Sequence, residues 1–135
     1  MAEGAGWWSL AGAAVAWSLV LAACSGAVDG LPVAEVPGLT LDKAAPHVPA
    51  EAIVFTQDAS PRVGLDASYR LDQSSSPDWT VVAICADGTV LDNSSRLELA
   101  VIPSSSVDEQ IRQSVRDGGF SDAIACEGIR SAEAS

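Results

Sequence analysis

Residues 7–23 read WWSLAGAAVAWSLVLAA, a run without a single charge, and it ends against Cys24. An apolar stretch of this length serves as the core of an export signal or, at its lower limit, as a membrane span. Neither contributes to the core of a water-facing domain, so the run divides the chain before any element is assigned. It also holds three of the four Trp, and the overall 48% of hydrophobic residues therefore averages two unlike parts. The remainder is acidic: the chain has 7 Lys+Arg against 18 Asp+Glu, a net charge of −11. Nucleic-acid binding requires a basic surface that displaces condensed counterions, and this balance argues against it. In a chain of 135 residues, the part beyond the leader is enough for one small domain.

Leu21-Ala22-Ala23-Cys24 resembles a bacterial lipoprotein box, in which an aliphatic and two small residues precede a cysteine that is acylated. Small side chains let a peptidase reach the bond, and the thiol forms the thioether to diacylglycerol. Cys24 is thus the expected lipidation site and the membrane the expected partner, reached through the lipid anchor on the extracytoplasmic face. Glu3 stands where a signal normally carries Lys or Arg. An uncleaved anchor and a helix buried in the domain are the alternative readings of this run. A single acyl chain binds membranes only marginally, whereas a diacylglyceryl group with an N-acyl chain anchors stably.

With Cys24 lipidated, Cys85 and Cys126 remain as an even pair outside the cytoplasm, and a disulfide between them is expected. It would close a loop of about 40 residues, worth about 4 kcal/mol in the chain-entropy model. Two free thiols are the alternative. A metal site is not expected, because His47 is the only His and there is no C-x-x-C.

The expected organisation is a signal peptide over 1–23, a tether over 24–34, a small domain over 35–103 and a C-terminal helical appendix over 104–135. Thr40 is placed to cap a helix that Pro46 and Pro49 limit to one or two turns. Residues 52–58 (AIVFTQD) form a strand candidate, and the polar stretch 59–78 a long loop. Residues 79–85 (WTVVAIC) are apolar on both faces, as in a central strand. In 96–102 Leu97, Leu99 and Val101 alternate with Arg96, Glu98 and Ala100, the pattern of an antiparallel strand covered on one face. Ser106-Val107-Asp108-Glu109 reads as a capping box with Ser106 at the N-cap, and Gly118-Gly119 as the stop.

Three places resemble a PASTA module, the small extracytoplasmic repeat of bacterial Ser/Thr kinases and some penicillin-binding proteins. They are Val36-Pro37 followed by Gly38-Leu39-Thr40-Leu41-Asp42-Lys43-Ala44, then Trp79-Thr80-Val81-Val82, then Gly88-Thr89-Val90 with Leu97-Glu98-Leu99-Ala100-Val101. The match covers about residues 35–103. Ala83-Ile84-Cys85-Ala86-Asp87 stands where the family commonly carries Gln, Pro and Gly, and Pro46 falls inside the position of its helix. The fold implied is α+β, a small helix packed on a three-stranded antiparallel sheet, here with an N-terminal signal helix and a short C-terminal helix. The partner implied is peptidoglycan fragments or a cell-wall synthesis protein. A structural or adaptor lipoprotein that contacts only another envelope protein is the alternative.

No catalytic set assembles from the residues. There is no G-x-S-x-G or S-x-x-K and no phosphate-binding glycine loop. His47 between two prolines reads as a surface His, and Asp58, Asp66, Asp72 and Asp78 lack the spacing of a calcium loop. A non-catalytic binding module without a cofactor is the expected function. Trp79 reads as a core residue or, alternatively, as a partly exposed platform for a sugar or peptide, assisted by Tyr69.

Overall fold

The computed structural model describes residues 30–126 and 129. The signal peptide over 1–23, Cys24 and most of the tether lie outside the described residues. Three strands form one sheet: β1 (Ile53–Asp58), β2 (Trp79–Ala86) and β3 (Arg96–Pro103). Among the described residues α1 (Leu41–Ala44) and α2 (Glu109–Arg116) accompany it. The class is α+β, and the sheet is mixed rather than antiparallel as expected. Its order is β1-β3-β2, with β3 antiparallel to β2 and parallel to β1.

The reason lies in the connections. The nine-residue connection 87–95, closed where the Asp87 N–H donates to the Arg96 carbonyl, lets β3 pair beside β2 as an antiparallel neighbour. Residues 59–78 are long enough to carry the chain past one strand position, so β2 starts two strands away from β1. β3 then fills the gap and runs the same way as β1.

β2 is therefore not the central strand expected from its two apolar faces. Its outer edge is nevertheless covered. The Gly38 N–H donates to the Val81 carbonyl at 2.7 Å, and the Val81 N–H donates to the Leu39 carbonyl at 2.8 Å. Pro32 bridges to Val90 in the same way, so the end of the expected tether is already part of the domain.

A bulge between Val81 and Ala83 changes which face each β2 side chain takes. One extra residue reverses a two-residue period. Trp79, Val81 and Ala86 enter a core with Val36, Leu41, Ala44, Leu91, Leu97, Leu99 and Val101, and Ile84 packs beside it. Val82, Ala83 and Cys85 turn to the opposite face.

That face is covered too, which corrects the one-sided reading of 96–102. Ala100 and Ile102 are fully buried, beneath Phe120, Ile124 and Cys126. Val107, Ile111 and Val115 of α2 and its approach pack on the same core, the apolar face of an amphipathic helix. Residues from Val107 to Cys126 thus pack on the second face of the sheet.

The cap of α2 differs from the capping box. Asp108, not Ser106, is the N-cap, and its carboxylate accepts the Ile111 N–H at 2.8 Å. Asp caps as well as Ser does, and the Ser106 hydroxyl is engaged elsewhere, donating to the Pro103 carbonyl. At the other end Gly118, with φ 79°, supplies the left-handed residue of a Schellman stop. The Gly118 N–H donates to Val115 and the Gly119 N–H to Ser114.

Candidate functional site

Several hollows border the sheet, one beside the end of β2 and one beside β1 among them. The first, of about 360 Å³, is lined largely by the end of β2 and its turn, with Val33, Cys85, Thr89 and Ile129. The second, of about 280 Å³, is a cleft walled by apolar side chains from four separate parts of the chain. Its floor is Leu99 of β3, one wall is Leu41, Ala44 and Val48, the other is Val54 and Thr56 of β1, and Tyr69 closes the end. An apolar cavity with a few convergent hydroxyls is the usual form of a ligand site, and this cleft has Thr56, Tyr69 and Ser74 at its walls.

Each wall has a local cause. Pro46 ends α1 after one turn, and a 3-10 turn over Ala45–His47 carries Val48 back toward the sheet. Thr40 precedes the helix as expected, though its hydroxyl donates to the Asp42 carboxylate and accepts no helix N–H. His47 is held by Asp92, Nδ1 to Oδ2 at 3.0 Å, and the same carboxylate accepts the Leu31 N–H at 2.8 Å. That amide, together with His47, keeps the Asp92 carboxyl below its ordinary value. His47 and Asp92 therefore tie the α1 wall to the turn between β2 and β3.

Tyr69 is placed by Asp58. Oδ1 accepts the Ser60 N–H at 2.9 Å and the Ser60 hydroxyl. Oδ2 accepts the Ser68 N–H at 2.6 Å and the Tyr69 N–H at 2.7 Å. Partial burial pushes the Asp58 pKa upward, but these donors outweigh it and hold the carboxyl below its usual value. The long loop 59–78 is thereby stapled back onto the end of β1.

Trp79, expected as core or platform, is in the core and 4% exposed. The Tyr69 ring meets it edge-on, centroids 5.2 Å apart and planes at 89°. Trp79 therefore has no open face for stacking a sugar, and the platform reading is corrected: of the pair, only half-buried Tyr69 reaches the cleft. The structure does bring the two residues together, through the staple at Asp58.

Cys85 and Cys126 are joined as a disulfide, with Cα atoms 5.8 Å apart. The Cys126 N–H also donates to the Glu98 carboxylate at 2.9 Å, a second tie on the same face. The four aspartates of the loop do not converge. Asp58 serves the staple and Asp72 pairs with Arg70 at 3.1 Å. Among the described residues no group of three His, Cys, Asp or Glu comes together. Cys24 lies outside them. No helix among them is long and apolar enough to cross a membrane.

Leu41, Val48, Val54 and Leu99 are site residues that read in the sequence as ordinary core. The one available signal was β1 itself, whose residues 53–55 are apolar on both faces although the strand is at an edge. No protein-family model, curated protein or solved structure matches the chain.

Proposed function

We propose that the chain is a non-catalytic binding module, anchored by lipid at Cys24 on the extracytoplasmic face of the membrane, that takes its ligand in the cleft between α1 and β1. The observation that carries this reading is the cleft: apolar walls from Leu41, Ala44, Val48, Val54 and Leu99, with Tyr69 fixed at one end by Asp58. The lipoprotein box supports the membrane location. The PASTA-like residues over 35–103 supply the ligand class, peptidoglycan fragments or a cell-wall synthesis protein. With Trp79 buried, the cleft suits the peptide portion of such a ligand better than its sugars.

The test is a titration with soluble muropeptides, following emission of Trp79 in the chain freed of residues 1–23. A ligand pressing on Tyr69 shifts that emission through the edge contact, saturably and with loss of the effect in Val54→Lys. Unchanged emission up to millimolar muropeptide counts against wall recognition. A stoichiometric envelope protein recovered from membranes, without wall binding, would favour the adaptor reading, which the buried Trp79 supports.

A further inference from the structure

The loop that closes the cleft borders another hollow as well. Tyr69 and Ser74 line the cleft, whereas Ser68 and Gln73 line a hollow of about 240 Å³ where β2 begins and β3 ends. Trp79 and Pro103, partners across the two strands, are its apolar part, and Asp78 and Ser105 complete its polar wall. The backbone here is fixed. The Asp78 N–H donates to the Ser76 hydroxyl at 3.0 Å, and the Asp78 carbonyl accepts the Ser104 N–H at 2.7 Å. The Ser104 hydroxyl donates to the Pro77 carbonyl at 2.8 Å and so accepts from the buried Thr80 hydroxyl. The side chains keep capacity in reserve. Among the described residues the Asp78 carboxylate and the Ser68 and Ser105 hydroxyls join no hydrogen bond. Gln73 uses only Oε1, which accepts the Arg70 N–H at 3.0 Å. That backbone group can only donate, so the amide is oriented with both Nε2 protons free.

We infer that this hollow binds a single neutral sugar ring. No Lys or Arg lines it, so an anion would meet only the charge of Asp78. A divalent cation takes several oxygen ligands and finds one carboxylate. An ammonium group would use Asp78 but set the Gln73 donor against its own positive charge. A sugar hydroxyl both donates and accepts, so hydroxyls of one ring can donate to Asp78 and accept from Gln73. Bonds to a carboxylate are the stronger kind, which makes Asp78 the main contact. Trp79 is 4% exposed and cannot stack on the ring, so recognition is by hydrogen bonds. The volume falls below the about 300–1,000 Å³ of drug-sized sites, which suits one ring. This site goes beyond the proposed function and does not rest on what the cleft binds.

The experiment titrates methyl β-glucoside into the full chain, held in a detergent without a sugar headgroup, and follows backbone amide shifts. Saturable shifts in the millimolar range are expected at Ser68, Gln73, Asp78 and Ser105, with Leu41, Val48 and Leu99 of the cleft unmoved. Asp78→Ala removes the charged acceptor while leaving the backbone bonds of the hollow in place, and should weaken binding about tenfold. Gln73→Glu keeps an acceptor for the Arg70 N–H but loses the free donor, and should weaken binding comparably. Glu109→Gln, on the exposed side of α2, should bind as the native chain does. Methyl N-acetyl-β-glucosaminide is titrated in parallel. Saturable binding of either sugar at these residues supports the site, and the tighter of the two tells a hexose from an amino sugar. No saturable shift with either sugar overturns the inference. So do shifts that survive both substitutions, or equal shifts with methylammonium.

Discussion

Replacing Asp58 by Asn tests how the long loop is held and, through it, how the cleft keeps its shape. The native carboxylate offers two acceptor oxygens to Ser60, Ser68 and Tyr69. Asparagine keeps one acceptor but turns an amide donor toward the Ser68 and Tyr69 N–H groups, or toward Ser60 if it flips. In the first orientation two bonds are lost; in the second the Ser60 N–H bond is lost while the Ser60 hydroxyl turns to accept from the amide, and in both the remaining acceptor is uncharged. Bonds to a charged acceptor contribute about 1.5–3 kcal/mol each when buried. Asp58 is partly exposed and water replaces part of the loss, so about 2 kcal/mol in total is the expected destabilisation. Urea unfolding followed by Trp79 emission measures it. Amide exchange should accelerate at Ser68 and Tyr69 before it does at Leu97 or Val101.

The pH dependence gives an independent check. The folded carboxyl is held below its ordinary value, so its contribution is fully present above the unfolded pKa, near 3.9. It fades as pH falls through the lower folded pKa. The gap in stability between native chain and Asp58→Asn should therefore be constant near neutrality and close in strong acid. An Asn variant with native stability and native exchange at Ser68 and Tyr69 would refute the staple. A gap that stays open in acid would refute its electrostatic basis.

Three further outcomes are expected of the same structure. Cys126→Ser opens a loop between residues 41 apart in sequence, and should lower stability by about 4 kcal/mol, read by urea unfolding. Asp108→Ala removes the cap on the Ile111 N–H and should cost about 1 kcal/mol, with fraying of the first turn of α2 in amide exchange. Cys24→Ala should abolish lipid labelling and membrane retention; labelling that persists would exclude the lipoprotein box.

The three strands were legible from β-branched and aromatic runs bounded by turn residues in AIVFTQD and WTVVAIC, and from strict alternation in 96–102. Their order was not. Nothing local in residues 59–78 says that the chain skips one strand position before β2 begins, so the mixed sheet could not be read from periodicity. The bulge at Val81/Ala83 is likewise invisible, since Val81-Val82-Ala83 is apolar whichever way it faces. Ala100 looked like a filler on an exposed face; its small side chain instead lies buried in the core beneath Phe120, Ile124 and Cys126.

The acidic residues misled most. In sequence they read only as net negative charge, yet Asp58, Asp87, Asp92, Glu98 and Asp108 each accept backbone N–H groups from a neighbouring turn or segment. A short carboxylate that serves as a loop staple looks the same in sequence as one that faces water. The cleft was hidden for a related reason. Its walls come from Leu41, Val54, Tyr69 and Leu99, residues far apart in sequence that only the folded loop brings together.

The central claim is that the cleft between α1 and β1 is the binding surface, and amide and methyl shift mapping tests it most directly. With a muropeptide titrated into the chain freed of residues 1–23, saturable shifts are expected at Leu41, Val48, Val54, Tyr69 and Leu99. Residues of the opposite face, such as Ile111 and Ile124, should stay in place. Shifts confined to that opposite face, or none at all up to millimolar ligand, would contradict it.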